Sequence, residues 1–491
     1  MATHAVNMIV YILLFLSIIT KDVGGSAICW TKTDPEHIRI ALRPTGVTIS
    51  WTTCGYWDFW NLINDTPTPQ VAYGTDPDVC DKLSQYNFTT TTYNPNPIFT
   101  RFFHNVYLDN LDPGTKYYYK IQETKKCVRA SNILSFTTAP LIINCESQPI
   151  NISIVGDLGL NTYFNNYEAE QTIIAMKKYI SISNFFMHIG DISYADLYGA
   201  VVNFDFYEDT WNRFQEAIEP ITSIMPYQVL PGNHEATCFQ LSDKVCPPYL
   251  KNFTAYNNRF HMSGELSGGY KNMWYSYDYG QAHIIMINTE TDFKDAPSGP
   301  GTTLNAGNFL GIDSQLAWFE QDLIEANKPE NRAERPWIIV AGHRPMFGST
   351  SKAQVQIAGI PIIAPSDNCA ACRDAFLPIL CKYGVDFFMA GHVHWMELLY
   401  PLDCNGNVVA NHFNNVDGVI HVTNGAGAAP TGAETVDTAD TYRRAFFFDG
   451  YGFQQLEIKN CTHATLHFIN SSTKQIIDSV DVVRSRSTNN I

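Results

Sequence analysis

Five apolar runs of β character each end in a glycine beside Asp, Asn or His, and few folds can use that pattern. Ile152–Val155 leads into Gly156-Asp157-Leu158-Gly159, and Phe185–Ile189 into Gly190-Asp191-Ile192-Ser193-Tyr194. Tyr227–Leu230 leads into Pro231-Gly232-Asn233-His234-Glu235, Trp337–Val340 into Ala341-Gly342-His343-Arg344, and Val385–Ala390 into Gly391-His392-Val393-His394. His283–Asn288 and Val419–Thr423 are further runs of the same kind, while Glu168–Ile180 and Ser314–Ala326 carry helical apolar spacing. Buried runs separated by helix-length segments predict an α/β layered core. In such sheets sites assemble at the carboxyl ends of the strands, and the glycines are expected to let the backbone turn tightly there. Asp, His, Asn and Tyr converging on one place form a donor set for iron, zinc or manganese rather than calcium. A single Gly-Asp is usually a turn or a helix cap, and His392-Val393-His394 alone is compatible with an edge strand. Five such endings in one chain are not explained that way.

The first part of the chain reads differently. Ile38–Leu42, Val47–Trp51, Gln70–Tyr73, Phe103–Leu108, Lys116–Ile121 and Asn132–Thr138 are short alternating strands, with Asp112-Pro113-Gly114 as a turn. About seven such strands predict an all-β two-sheet sandwich, and Leu-Asp-Pro-Gly-Thr-Lys-Tyr-Tyr-Tyr resembles the sixth-strand corner of a fibronectin type III module. Gly452–Ile477 returns to strands, with a turn at Asn470-Ser471-Ser472.

Met8–Ile19 is apolar but too short to span a bilayer, and small residues up to Ala27 follow it, as in a secretory leader cut near that point. The expected organisation is a signal peptide at 1–27, a β-module at 28–140 and a catalytic part at 146–480. Twelve cysteines and the sequons at Asn64, Asn87, Asn151, Asn252, Asn460 and Asn470 fit an extracellular glycoprotein with no membrane anchor. Cys238 and Cys246 frame a short loop, and Cys369-Ala370-Ala371-Cys372 reads as two structural half-cystines rather than a redox motif. The net charge of −16 argues against nucleic acid as a partner. An anionic small molecule is not excluded, because a bound metal can dominate the field of one pocket. His104, His188, His283 and His421 lie in or beside apolar runs and are expected to be satisfied core histidines. Asn424-Gly425-Ala426-Gly427 lacks a nucleotide-binding pattern and reads as a loop near the site.

Taken together, D-x-G, G-D-x-x-Y, G-N-H-E, V-x-x-H and G-H-x-H resemble the binuclear metallophosphoesterase signature in its purple acid phosphatase form, with Tyr194 narrowing the match. The β-module in front resembles the long plant and fungal members. The resemblance implies a two-sheet α/β sandwich core and Fe(III) held by Asp157, Tyr194 and His394. Asn233, His343 and His392 would hold a divalent Zn, Fe or Mn, with Asp191 as the bridge. Hard phenolate and carboxylate oxygens suit Fe(III), and imidazoles with a neutral amide suit the divalent ion. It also implies an acid phosphatase that hydrolyses small phosphate monoesters through a metal-activated water or hydroxide. Asn233 would touch substrate as well, and His234 would contact the phosphate or protonate the leaving group. Glu235 either orients His234 or faces solvent.

This chain departs from the plant pattern after His343. Arg344 follows directly, and Lys352 and Ala353 stand where plant-like members place two phosphate-binding histidines. Arg344 and Lys352 are therefore the candidate cationic contacts to substrate, on a stretch, Phe347–Asn368, expected to overhang the divalent metal. A phosphodiesterase or pyrophosphatase of the same superfamily is the alternative activity, and a non-catalytic secreted binding protein the alternative of another class. The retained ligand set speaks against the latter. Oligomeric state is not readable from the sequence.

Overall fold

The computed structural model describes residues 34–485, except 55, 58–63, 66–67, 79, 85–86, 96–100, 124–128, 142–147, 161–166, 198–203, 350–353, 358–359, 364–367 and 431–440. The expected leader and Lys352 lie outside the described residues.

Residues before about 140 form two four-stranded antiparallel sheets and a small two-stranded one. Inward residues such as Ile40, Ile49, Val71, Val106, Tyr119 and Phe136 pack one core between the two larger sheets. The expected corner is present, since Tyr117 Oη accepts the Asp112 N–H at 3.0 Å.

The core that follows has two larger sheets. The first runs Tyr227–Leu230, Phe185–Ile189, Ile150–Val155, Gly452–Ile458, His463–Asn470 and Gln475–Val483 from edge to edge. Its first three strands are parallel, and the last three form an antiparallel meander. The second runs Tyr275–Tyr279, Ala282–Met286, Trp337–Ala341, Phe387–Ala390, Ile420–Asn424, Met396–Leu399 and Arg444–Phe448, with its four inner strands from Ala282–Met286 to Ile420–Asn424 parallel. One apolar core joins side chains of both sheets, among them Ile152, Phe185, Met187, Ile284, Ile339 and Phe387. The parallel strands are buried on both faces, which is why their sequence shows no alternation. The two expected helices appear at Tyr167–Tyr179 and Ser314–Ala326.

Helices at Phe204–Thr222 and Ala370–Lys382 were not foreseen, and each carries a proline near its carboxyl end, Pro220 and Pro378. Disulfides join Cys238 to Cys246, Cys369 to Cys372, and Cys381 to Cys404. Among the sequon asparagines, Asn87 and Asn252 are exposed, while Asn151, Asn460 and Asn470 are half-buried.

Candidate metal centre

The carboxyl ends of parallel strands from both sheets meet at one place. From the first sheet come Asp157, Asp191 with Tyr194, and Asn233; from the second come His343, and His392 with His394. Tyr194 Oη donates to Asp157 Oδ1 at 2.9 Å and lies 3.1 Å from His394 Nε2 and 3.5 Å from Asp191 Oδ2. His394 Nε2 is 3.4 Å from Asp157 Oδ1. Asp191, His343 and His392 form a second cluster whose donor atoms lie within 4.8 Å of one another. Asp191 Oδ2 thus faces both groups.

Backbone geometry aims these side chains. Asp157, Asp191, Tyr194 and His392 have φ of 57°, 50°, 54° and 69°, the left-handed region. Each costs about 1 kcal/mol or more in a residue with a Cβ, and the surrounding hydrogen bonds hold them there. Asp157 Oδ2 accepts the His392 N–H at 2.8 Å, and Asp191 Oδ1 accepts the His234 N–H at 2.9 Å. Tight turning is the smaller part of what the motif glycines do. Only Gly190 among the five that end the runs has a positive φ, 89°. At Gly232 a Cβ would stand 2.2 Å from Asp191 Oδ1, and at Gly391 2.6 Å from Asp157 Oδ2. Glycine is required there because the carboxylate oxygens of Asp191 and Asp157 lie against the backbone.

The donor set fits bound cations. His343 Nδ1 is 3.0 Å from the Ile189 carbonyl oxygen, so it donates and leaves a lone pair on Nε2. That atom lies 3.0 Å from Asp191 Oδ2, another acceptor, with no hydrogen bond between them. Two acceptors facing each other in a buried site call for a cation or a proton. Without a metal the proton supplies it, and although burial opposes the charged ring, the Asp191 carboxylate brings His343 up to about 10. Asn233 Oδ1 is likewise buried with no hydrogen-bond partner. Burial and the carboxylates of Asp157 and Asp191 push the Tyr194 phenol far up, so a phenolate there requires a cation beside it.

His234 packs against Tyr194, ring centroids 4.2 Å apart and planes tilted by 42°, with Nε2 3.8 Å from Asp191 Oδ2. Its Nδ1 donates to Asp196, at 2.8 and 3.0 Å from the two carboxylate oxygens. Burial works against the imidazolium, but Asp196 and Asp191 outweigh it and place His234 at about 9. The orienting carboxylate is therefore Asp196, not Glu235. Glu235 is buried and accepts the N–H groups of Asp191, Ile192 and Gly232 at 2.8–2.9 Å, which fixes the loop carrying Asp191.

On the second sheet, Thr289 Oγ1 accepts the N–H groups of both His343 and Arg344, at 3.0 and 2.8 Å. Arg344 Nε donates to the buried Glu290 at 2.7 Å. The Cys369–Cys372 disulfide lies behind this loop, with Cys369 N–H donating to the Pro345 carbonyl at 2.8 Å. The Asn424–Gly427 loop also packs here, Gly427 N–H donating to the Gly156 carbonyl at 3.0 Å. His104 is hydrogen-bonded to Thr53 and Thr90, and His283 to Asp278 and Asp322. His188 is bonded through one nitrogen only. His421 is not satisfied, because both ring nitrogens are buried without a hydrogen bond and burial lowers it to about 3.

Residues 150–396, half of the chain, match the family described as Calcineurin-like phosphoesterase. Residues 35–138 match the purple acid phosphatase N-terminal domain, and 418–479 the iron/zinc purple acid phosphatase-like C-terminal domain. The chain belongs to the purple acid phosphatases of the calcineurin-like phosphoesterase family. An acid phosphatase of Aspergillus ficuum is 28% identical, over 85% of this chain and 82% of its own. Human acid phosphatase type 7 is 28% identical, over 92% of this chain and 91% of its own. In fold, the chain is similar to a purple acid phosphatase from yellow lupin (Lupinus luteus) seeds, with TM-score 0.68 and 24% identity, over 92% of this chain and 74% of that one.

Proposed function

We propose that this chain is a secreted acid phosphatase acting on small phosphate monoesters, with Fe(III) and a divalent Zn, Fe or Mn as its resident metals. The observation that carries the reading is the convergence of seven donor side chains from two sheets, with lone pairs aimed at one another. Asp157, Tyr194 and His394 would hold the ferric ion, Asn233, His343 and His392 the divalent one, and Asp191 both. The pair, when bound, supplies Lewis acidity toward the phosphate and lowers the pKa of a coordinated water. The leader at 1–27, the module at 28–140 and the catalytic part at 146–480 belong to the same proposal, as does glycosylation of the six sequons.

The protein's own groups supply the rest. His234 carries a proton over Asp191, held by Asp196 in the orientation that points Nε2 into the site. A proton at that nitrogen can pass to the leaving oxygen of an ester. Asp196, which accepts the Nδ1 proton at 2.8 Å, supports the charged ring. Lys352 stays in the proposal as a cationic contact to substrate; Lys352→Ala should raise KM for an aryl phosphate about tenfold if the ammonium meets the phosphate.

The test is metal analysis with a visible spectrum of the purified protein. Iron with one further metal and a phenolate charge-transfer band that Tyr194→Phe removes are expected. A colourless, iron-free and fully active protein would overturn the ferric assignment. Activity on diesters above that on monoesters would overturn the substrate class.

A further inference from the structure

Arg344 is held on two sides. Its Nε donates to Glu290 Oε1 at 2.7 Å, and its Nη1 lies 2.8 Å from His392 Nε2. Glu290 is fully buried, and its second oxygen accepts from Ser298 Oγ at 2.5 Å. Its backbone is fixed as well, the N–H donating to Asn288 Oδ1 at 2.7 Å and the carbonyl accepting the Ser298 N–H at 2.9 Å. The Nε edge of the guanidinium is therefore anchored while the Nη edge faces the candidate divalent position.

A guanidinium has donors only, so its contact with His392 requires a lone pair on Nε2. A neutral imidazole has one such nitrogen. If a metal binds through Nε2, that lone pair is consumed. If it binds through Nδ1, the ring proton must sit on Nε2, and a donor then faces a donor. Either way, a metal on His392 breaks the bond between Arg344 and the ring. The guanidinium remains anchored through Glu290, with an Nη edge in need of an acceptor beside the metal.

We propose that Arg344 is an anion clamp set by metal loading, which turns its Nη edge from His392 to the substrate phosphate, and that Glu290 is its positioning residue. This rests on the reading that His392 holds a metal and that the site takes phosphate. The planar fork suits two oxygens of one phosphoryl group. A monoester has three unesterified oxygens and a diester two, so the clamp favours monoesters when the metals also engage oxygens.

Calorimetric titrations of Zn²⁺ and of inorganic phosphate test this on the full chain, stripped and reloaded with metal. Arg344→Ala should weaken phosphate binding to the loaded protein about tenfold or more and tighten Zn²⁺ binding, because a competitor for His392 is gone. Arg344→Lys, which keeps the charge and loses the fork, should fall between. Glu290→Gln should raise KM more than it lowers kcat, and should add little further loss in the Arg344→Ala background. In the stripped protein the variants should bind phosphate as the parent does. Equal phosphate affinity in loaded parent and Arg344→Ala, or weaker Zn²⁺ binding in that variant, overturns the clamp even if the parent hydrolyses aryl phosphates. A parent that takes up no metal and hydrolyses none overturns the underlying reading as well.

Discussion

His234 depends on a carboxylate two residues beyond Tyr194. Because Asp196 receives the Nδ1 proton, Asp196→Asn should leave metal content unchanged. It should lower kcat about tenfold or more on alkyl phosphates, whose leaving oxygen needs a proton, and much less on aryl phosphates. Equal losses on both substrates would count against a proton-donating His234. Glu235 has a different job. Glu235→Ala would strand three buried N–H groups, and should cost about 2–4 kcal/mol in chemical denaturation along with looser metal binding. Sequence reading found the strand-end residues because a glycine flags each of them. It passed over Thr289 and Glu290, although they follow the run His283–Asn288, because that ending has no glycine and so looked like ordinary polarity. Asp196 lay in plain view, but nothing in its spacing distinguished a buried partner of His234 from a loop carboxylate. Neither reading left open for Glu235, orienting His234 or facing solvent, holds, because its buried carboxylate turns to the N–H groups of Asp191, Ile192 and Gly232.

The core strands were legible from uninterrupted apolar runs and the two-sheet arrangement only through the family resemblance, whereas Phe204–Thr222 and Ala370–Lys382 hid behind internal prolines that normally argue against helix. Both prolines are tolerated late in their helices. At the turns, Gly232→Ala would drive a methyl into Asp191 Oδ1, and should remove at least one metal by elemental analysis while far-ultraviolet circular dichroism stays close to the parent's. One strand in from the edge of the second sheet, His283 lies between Asp278 and Asp322, 2.7 and 2.8 Å away, with Arg335 also on Asp278. Burial opposes its charge, but the two carboxylates raise it from 6.5 to about 9. The folded state therefore binds this proton more tightly than the unfolded one. The resulting stability, up to about 3 kcal/mol, is complete below pH 6.5 and fades as pH rises toward 9. His283→Gln should lower Tm clearly at about pH 5, with the difference shrinking by about pH 9. A pH-independent difference would mean that packing, not charge, is at stake.

The N-terminal sandwich is bound to the core by buried polar contacts. Thr222 Oγ1 donates to the Ile38 carbonyl at 2.7 Å, Leu42 N–H to Gln228 Oε1 at 2.8 Å, and Tyr119 Oη to the Ser223 carbonyl at 2.6 Å. Arg259, wholly buried, bonds Glu208 at 2.6 Å, and Tyr93 of the sandwich donates to the same carboxylate at 2.6 Å. Arg259→Ala would leave Glu208 as an unpaired buried charge and should cost about 3–5 kcal/mol. Calorimetry of the parent should show one unfolding transition, and two resolved transitions would show the module to be independent. The site itself belongs to neither core sheet. Asp157, Asp191, Tyr194 and Asn233 hang from the first, and His343, His392 and His394 from the second. Metal ions bound there would rivet two leaves that otherwise meet at that edge through apolar contact and a few hydrogen bonds, such as His343 Nδ1 to the Ile189 carbonyl and Asn424 Nδ2 to the Ile154 carbonyl, so occupancy becomes a measure of closure. Chelation should let solvent into the seam, speeding amide exchange at the strand ends of both leaves before either leaf loosens within itself, and a proteolytic fragment holding one leaf would keep half a coordination shell and no enzyme.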